Sequence, residues 1–174
     1  VMRRRAPLHG SALVAPGGNL PPAKLPALQA AALKACGNGK TYIADPPACR
    51  FDPVVLECKG AETDACLTAK QVAVARSIYR GRPDIIGGGY MPGLTPGAEA
   101  AANSWAGWGV STTDADTSRA TTGGFAWNHF AYLVVKDPKF DLRNLTDAQV
   151  IAGDREWRTT LNADNPDLSA FKAR

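Results

Sequence analysis

CGNGKTYIADPPACRFDPVVLECKGAETDAC, residues 36–66, is the stretch that decides how this chain folds, because it gathers all four cysteines together with Pro46, Pro47, Pro53 and Gly60. Four cysteines permit three pairings. Their successive separations of 13, 9 and 8 residues contain no Cys-x-x-Cys pair, so zinc ligation is a poor fit. Disulfides in an exported protein fit better, since a turn-rich loop gains from covalent staples a rigidity that a small core does not supply. The alternative is four reduced thiols in a cytosolic protein, where cysteine packs as a small apolar residue. Within the loop, Tyr42-Ile43 and Val54-Val55-Leu56 carry the β-branched and aromatic composition of short strands.

Helices are expected on both sides of this loop. Upstream, Pro21 and Pro22 suit a helix start, and Leu25, Leu28 and Ala32 recur on one face of an Ala-rich run that ends at Cys36-Gly37. Pro26 falls in the first turn, where a missing N–H is tolerated. Downstream, Thr68-Ala-Lys-Gln71 is a capping-box pattern, and it opens a helix with Val72, Ala75 and Tyr79 on one face that Gly81 and Pro83 end. Gly87–Gly89 and residues 92–97 read as loop. Residues 98–122 are rich in small residues without a clear period and receive no assignment. Phe125–Val135, apolar nearly all round, reads as a largely buried helix that stops before Asp137-Pro138, which makes His129 a core histidine. Thr146-Asp-Ala-Gln149 is a second capping box, heading a helix over about residues 147–160 with Val150, Trp157 and Leu161 on one side. Asn165–Phe171 reads as a turn followed by a short helical turn.

Taken together, the pattern predicts an α+β chain, mostly helical with long stapled loops, in which no alternation of strand and helix builds a parallel sheet. Residues 1–18 have no periodicity and read as a poorly ordered arm, leaving 19–174 as the folded part. The 17 glycines and 13 prolines cluster between apolar segments, as in an insertion rather than a self-sufficient fold. Of the net charge of +4, Arg3, Arg4 and Arg5 supply three, so the body is nearly neutral and has no footprint of a nucleic-acid binder. No apolar run reaches the roughly 20 residues a membrane span requires. The basic start and the weak apolar stretch after it only imitate a signal peptide, because His9 and Gly10 interrupt it.

Several segments, in order, resemble the cap region of tannases and feruloyl esterases. They include Leu20-Pro-Pro-Ala-Lys-Leu-Pro26, Ile43-Ala-Asp-Pro46, Cys49-Arg-Phe-Asp-Pro53, Thr63-Asp-Ala-Cys-Leu-Thr68, Trp105-Ala-Gly-Trp108, Lys136-Asp-Pro138 and Leu161-Asn-Ala-Asp-Asn-Pro-Asp-Leu-Ser-Ala-Phe171. Each is weak alone; their shared order over residues 19–174 makes the match specific. The resemblance implies that this is the lid insertion of a serine α/β-hydrolase, without the hydrolase core sheet, cut out between the catalytic serine and the catalytic acid. None of the family's triad is here. Ser11, Ser77, Ser104, Ser111, Ser118 and Ser169 lack the Gly-x-Ser-x-Gly elbow that exposes a nucleophile, and neither His9 nor His129 is placed as a base, so no catalytic residue is assigned.

The same resemblance implies the pairs Cys36–Cys49 and Cys58–Cys66, and a secreted or periplasmic protein. Closing a loop of about 13 residues would contribute ~3 kcal/mol by the chain-entropy estimate. For a lid over an aryl-ester site, Trp105, Trp108, Phe125, Trp127 and Phe130 are the candidate substrate contacts by type and placement, although aromatic residues also dominate small cores. Members of the family usually carry a calcium loop of the form Cys-Asp-x-x-Asp-Gly-x-x-Asp-Gly-x-Ile. This chain has Cys36-Gly-Asn-Gly-Lys-Thr-Tyr-Ile43, so the calcium site is expected to be lost and no cofactor is assigned.

The implied partner is a small aryl ester, of galloyl or feruloyl type, bound by the full-length enzyme; neither nucleic acid nor membrane is expected. The competing class is a non-catalytic, disulfide-stapled secreted binding module. A structural calcium module is disfavoured by the carboxylate-poor loop.

Overall fold

A computed structural model describes residues 18–83, 90–102, 104–108, 128–141, 144–161 and 167–173. Residues 1–17 of the expected arm, Gly87–Gly89, and Phe125 and Trp127 lie outside them. Gly18, Asn19 and Leu20 are buried.

The chain is mostly helical. Pro21 and Pro22 lead through one 3-10 turn into α1 (Leu25–Cys36), which buries Leu25, Leu28 and Ala32 and carries Pro26 in its first turn. Helix α2 (Ala69–Arg80) opens on a complete capping box: the Gln71 N–H donates to Thr68 Oγ1 at 3.2 Å, and the Thr68 N–H to Gln71 Oε1 at 2.9 Å. The residue that caps its C-terminus, Gly81, adopts φ 73°, the left-handed region that glycine enters without a Cβ penalty. The only paired strands among the described residues, β1 (Arg82–Pro83) and β2 (Tyr90–Met91), form a two-residue antiparallel ladder. Helix α3 is a single turn, Trp105–Trp108.

The second half is a separate pairing of helices. A π-helical turn, His129–Val134, packs on α4 (Asp147–Leu161), whose capping box at Thr146 and Gln149 is again complete. Gly153 allows the close approach, since a Cβ there would come within 2.6 Å of a Val134 methyl. Trp157 Nε1 donates to the Leu133 carbonyl at 3.2 Å. The terminal turn α5 (Ser169–Lys172) leaves Phe171 exposed.

Two disulfides staple the loop between α1 and α2, Cys36–Cys49 and Cys58–Cys66, as the resemblance implies. The second lies beside a parallel bridge in which the Cys58 N–H donates to the Leu67 carbonyl and the Leu67 N–H to the Leu56 carbonyl. Two apolar clusters result. Leu20, Leu25, Leu28, Leu67, Val72, Val74, Ala75, Ile78 and Trp105 form the larger, between α1, α2 and the stapled loop. Phe130 and Val150 centre the smaller, with Val134, Phe140 and Leu145 around them.

Three expectations are corrected. Val54-Val55-Leu56 is not a strand: Pro53 fixes φ at the first position, the Asp52 carboxylate accepts from the Val54 N–H at 3.0 Å, and a 3-10 turn, Pro53–Leu56, forms. Tyr42-Ile43 is not a strand either. The chain leaves a tight turn at Asn38-Gly39, both with positive φ, and enters a 3-10 turn at Pro46, and among the described residues no strand pairs with the segment between. The helix around His129 is not buried all round: Tyr132 is half-exposed and His129 half-buried, edge-on to Phe130, because only one face of the π-helical turn meets α4.

Candidate functional site

A groove of about 530 Å³ opens where three segments meet: the stapled loop at 46–53, the C-terminal half of α2, and the loop at 92–96. Its volume is in the range of small-molecule sites. Each wall follows from its sequence. Pro46, Pro47, Pro53, Pro92 and Pro96 line it, and their fixed φ makes the rims stiff. The Asp45 and Asp52 carboxylates cap the two 3-10 turns, through the Ala48 and Val54 N–H groups, which sets the direction of the loop. Arg50 Nη1 donates back to the Pro47 carbonyl at 2.8 Å.

The opposite wall is held by backbone contact. Gly93 lies against the end of α2 so closely that a Cβ there would come within 2.2 Å of the carbonyl oxygens of Ile78 and Tyr79. The next residue, Leu94, donates its N–H to the Ile78 carbonyl at 3.0 Å. One turn further, Gly97 lets Ile43 approach.

The floor is aromatic. Phe51 meets Tyr79 edge-on at 5.8 Å between centroids, and Tyr79 meets Trp105 at 5.1 Å, a ladder running from the groove into the core. Tyr79 is pinned by its hydroxyl, which donates to Glu99 Oε1 at 2.7 Å; Glu99 is fully buried and accepts a second bond from the Gly97 N–H at 2.9 Å. Burial, with the Glu99 carboxylate beside it, holds the Tyr79 hydroxyl far above the usual phenol range, so it stays a donor.

Charged side chains also line the groove. Arg50, Arg76, Arg80 and Asp52 are the charged residues among those that line it. Arg76 grips Asp52 with Nε at 2.8 Å and Nη2 at 2.7 Å, and this hydrogen bonding holds the Asp52 carboxyl below its usual range. The pair is half-exposed, and pairs of that kind contribute under about 1 kcal/mol to stability. Its effect here is to orient two groove residues.

Of the aromatic residues read from sequence as substrate contacts, Trp105 and Phe130 do not line this groove. Trp105 is 2% exposed in the larger cluster, and Phe130 is 6% exposed in the smaller one. Trp108 belongs to α3, while Phe125 and Trp127 fall outside the described residues. Sequence reasoning missed Phe51 and the three arginines. The available signal was the spacing of Arg76, Tyr79 and Arg80 at i, i+3 and i+4, one face of α2. The calcium-loop position is a turn: Asn38 and Gly39 have positive φ, Lys40 Nζ sits 5.3 Å from the Tyr42 ring, and the Asp45 carboxylate is occupied as a cap. Among the described residues no three His, Cys, Asp or Glu side chains cluster as metal ligands.

Comparison with known proteins gives a consistent match. The family model for tannase and feruloyl esterase aligns with residues 8–174. An uncharacterized esterase of Xanthomonas campestris pv. campestris is 35% identical over 91% of this chain and 30% of its own length. Two crystal structures from Aspergillus oryzae, of an esterase and of feruloyl esterase B, superpose with TM-scores of 0.68 and 0.67, at 21% and 18% identity. Each alignment covers 95% of this chain and 33% of the fungal chain. The chain thus spans about a third of the length of the proteins it matches.

Proposed function

The chain belongs to the tannase and feruloyl esterase family, and from that membership we propose that it is the lid segment of a serine carboxylic-ester hydrolase acting on phenolic esters. The observation that carries this reading is the overlay of nearly the whole chain on one third of each fungal esterase. A helical, stapled segment without a nucleophile elbow fits a cover, with the reacting serine, acid and base supplied by the remainder of the enzyme. Two disulfides support an exported location, and no described helix is long and apolar enough to cross a membrane. Trp108, Phe125 and Trp127 are the aromatic residues proposed to face the ester, since Trp105 and Phe130 are committed to packing.

Two assays test the reading. The purified chain, with both disulfides formed, should not turn over methyl gallate or methyl ferulate, whereas the esterase containing it should, with sensitivity to a serine-directed inhibitor. Replacing the segment by a short Gly/Ser linker should reduce kcat/KM on aryl esters more than on a simple acetate ester. Inhibitor-sensitive turnover by the chain itself, or an equal loss on both ester types, would overturn the assignment.

Calcium is not part of this proposal. A hard divalent cation exchanging its water shell needs six to eight oxygens, several of them charged. Calorimetric titration of the oxidised chain should give no calcium heat, and a chelator should leave its melting point unchanged. Micromolar affinity would show that the turn at Gly37–Tyr42 is not what decides the loss.

A further inference from the structure

We propose that the turn at Asn38-Gly39 is a site of spontaneous covalent modification, where the asparagine is converted to aspartate and isoaspartate through a cyclic imide. Of the seven asparagines in the sequence, Asn38 alone is followed by glycine. The reaction needs the main-chain nitrogen of the following residue to reach the carboxamide carbon, and glycine has no side chain to obstruct that approach. The structure leaves the route open. Asn38, Gly39, Lys40 and Thr41 are all exposed, and no atom lies within 4 Å of the position a Cβ would take on Gly39. Among the described hydrogen bonds none uses the Gly39 N–H or the Asn38 carboxamide, so neither reacting group has to be released from a partner. A single bond closes the turn, from the Lys40 N–H to the Gly37 carbonyl at 2.9 Å, and opening it frees the rotation that brings the two groups together.

The conversion balances with water alone. The Gly39 nitrogen forms a bond to Asn38 Cγ and gives up its proton, the Cγ–Nδ2 bond breaks, and Nδ2 leaves as ammonia. Water then opens the imide on either side. Cleavage at Cγ gives aspartate; cleavage at the main-chain carbonyl carbon gives isoaspartate, in which the chain continues through the side chain. Nothing is oxidised or reduced, and in both products a neutral amide has become a carboxylate. The change falls where it disturbs the fold locally. Asn38 follows Gly37, the residue that caps α1, so the new charge meets the negative end of a helix, where an anion is disfavoured. Its φ of 51° is a left-handed conformation that asparagine tolerates in a turn. Isoaspartate, with an extra carbon in the main chain, does not fit the ring that the Gly37–Lys40 bond closes. The Cys36–Cys49 disulfide spans the site, so the loop stays attached to α1 when the turn is lost. The inference is independent of what the parent enzyme hydrolyses, because the reaction uses only this chain and water.

The test ages the purified, oxidised chain at neutral pH and physiological temperature and follows it by mass-spectrometric peptide mapping with enzymatic detection of isoaspartate. The acid form should accumulate at Asn38 at least about tenfold faster than at any other asparagine, a ratio that corresponds to about 1.4 kcal/mol of barrier, with isoaspartate among the products. Amide exchange at Lys40 should quicken in the aged chain while the disulfide map stays unchanged. Asn38→Gln, which would have to form a larger ring, should lose the modification and keep the helical circular dichroism of the parent. Gly39→Ala should slow the reaction by a similar factor. Because Gly39 has φ 78°, that variant is also compared with the parent after reduction and unfolding in urea, where the slowing should persist without the turn. Comparable rates at all asparagines of the folded chain, conversion of Asn38 only after unfolding, aspartate without isoaspartate, or unaltered exchange at Lys40 in the fully converted chain would overturn the proposal.

Discussion

Replacing Gly93 by valine should destabilise the chain by about 3 kcal/mol or more and displace one wall of the groove, the largest effect expected of a single substitution here. The reason is what surrounds the Cα. A Cβ would come within 2.2 Å of the carbonyl oxygens of both Ile78 and Tyr79, and these are backbone atoms at the end of α2 that cannot swing aside as a side-chain tip can. Relief requires moving the 92–96 loop off the helix, which breaks the bond from the Leu94 N–H to the Ile78 carbonyl. Leu94 and Pro92 would leave the groove wall with it. Gly60→Ala is the matched control: nothing lies within 4 Å of its Cβ position and its φ is not in the left-handed region, so it should stay within about 0.5 kcal/mol of the parent. Urea unfolding of the three proteins, with amide exchange at Leu94, measures the effect. Equal midpoints would show that the loop has slack that its contact distances conceal.

Gly93 also illustrates which parts of this molecule are legible in one sequence. Helices α1, α2 and α4 were readable because their signals are local: prolines at a start, Thr and Gln three apart at a cap, glycine after the last turn. The groove was not. Its lining comes from three segments whose meeting depends on two disulfides and on one glycine among 17, and nothing in the spacing of Gly93 from α2 announces a 2.2 Å contact. Val54-Val55-Leu56 misled for a related reason. Its β-branched composition suits a strand, but the residues just before it, Asp52 and Pro53, impose a 3-10 turn, and local capping outweighed propensity. The aromatic residues read as substrate contacts were chosen by type and by placement in the chain. Type does not separate Trp105, which closes a core, from Phe51, which lines the groove.

The second large effect is expected at Lys24, a lysine 2% exposed whose family-like setting, Leu20-Pro-Pro-Ala-Lys-Leu-Pro26, gives no hint of what it holds. Its Nζ donates to the carbonyl oxygens of Thr63 and Cys66, both at 2.6 Å, and sits 3.1 Å from Glu62 Oε1. Those acceptors belong to the loop closed by the Cys58–Cys66 bond, so the first turn before α1 is fastened to the staple that precedes α2. Glu62 also accepts from Gln71 Nε2, which donates in addition to the Asn19 carbonyl, linking the chain entry to the α2 cap. The hydrogen bond from Lys24, followed by that from Gln71, holds the Glu62 carboxyl below its usual range. A carboxyl with a depressed folded-state pKa stabilises above its unfolded value and loses that contribution as the pH falls through the folded one. Lys24→Met keeps the apolar stem and removes the charge. The Cys66 carbonyl then loses its donor at about 1–3 kcal/mol if water does not reach it, the Thr63 carbonyl keeps only the Cys66 N–H at 3.3 Å, and the half-exposed Glu62 resolvates at little cost. The net expectation is a loss of about 2–3 kcal/mol, measured by urea unfolding at neutral pH. The acid-side loss of stability expected of the parent below the usual glutamate range should shrink in the variant, because Glu62 no longer has its first partner. An unchanged midpoint together with an unchanged acid profile would show that the Thr63 and Cys66 carbonyls are satisfied without Lys24, and that the staple alone sets this loop.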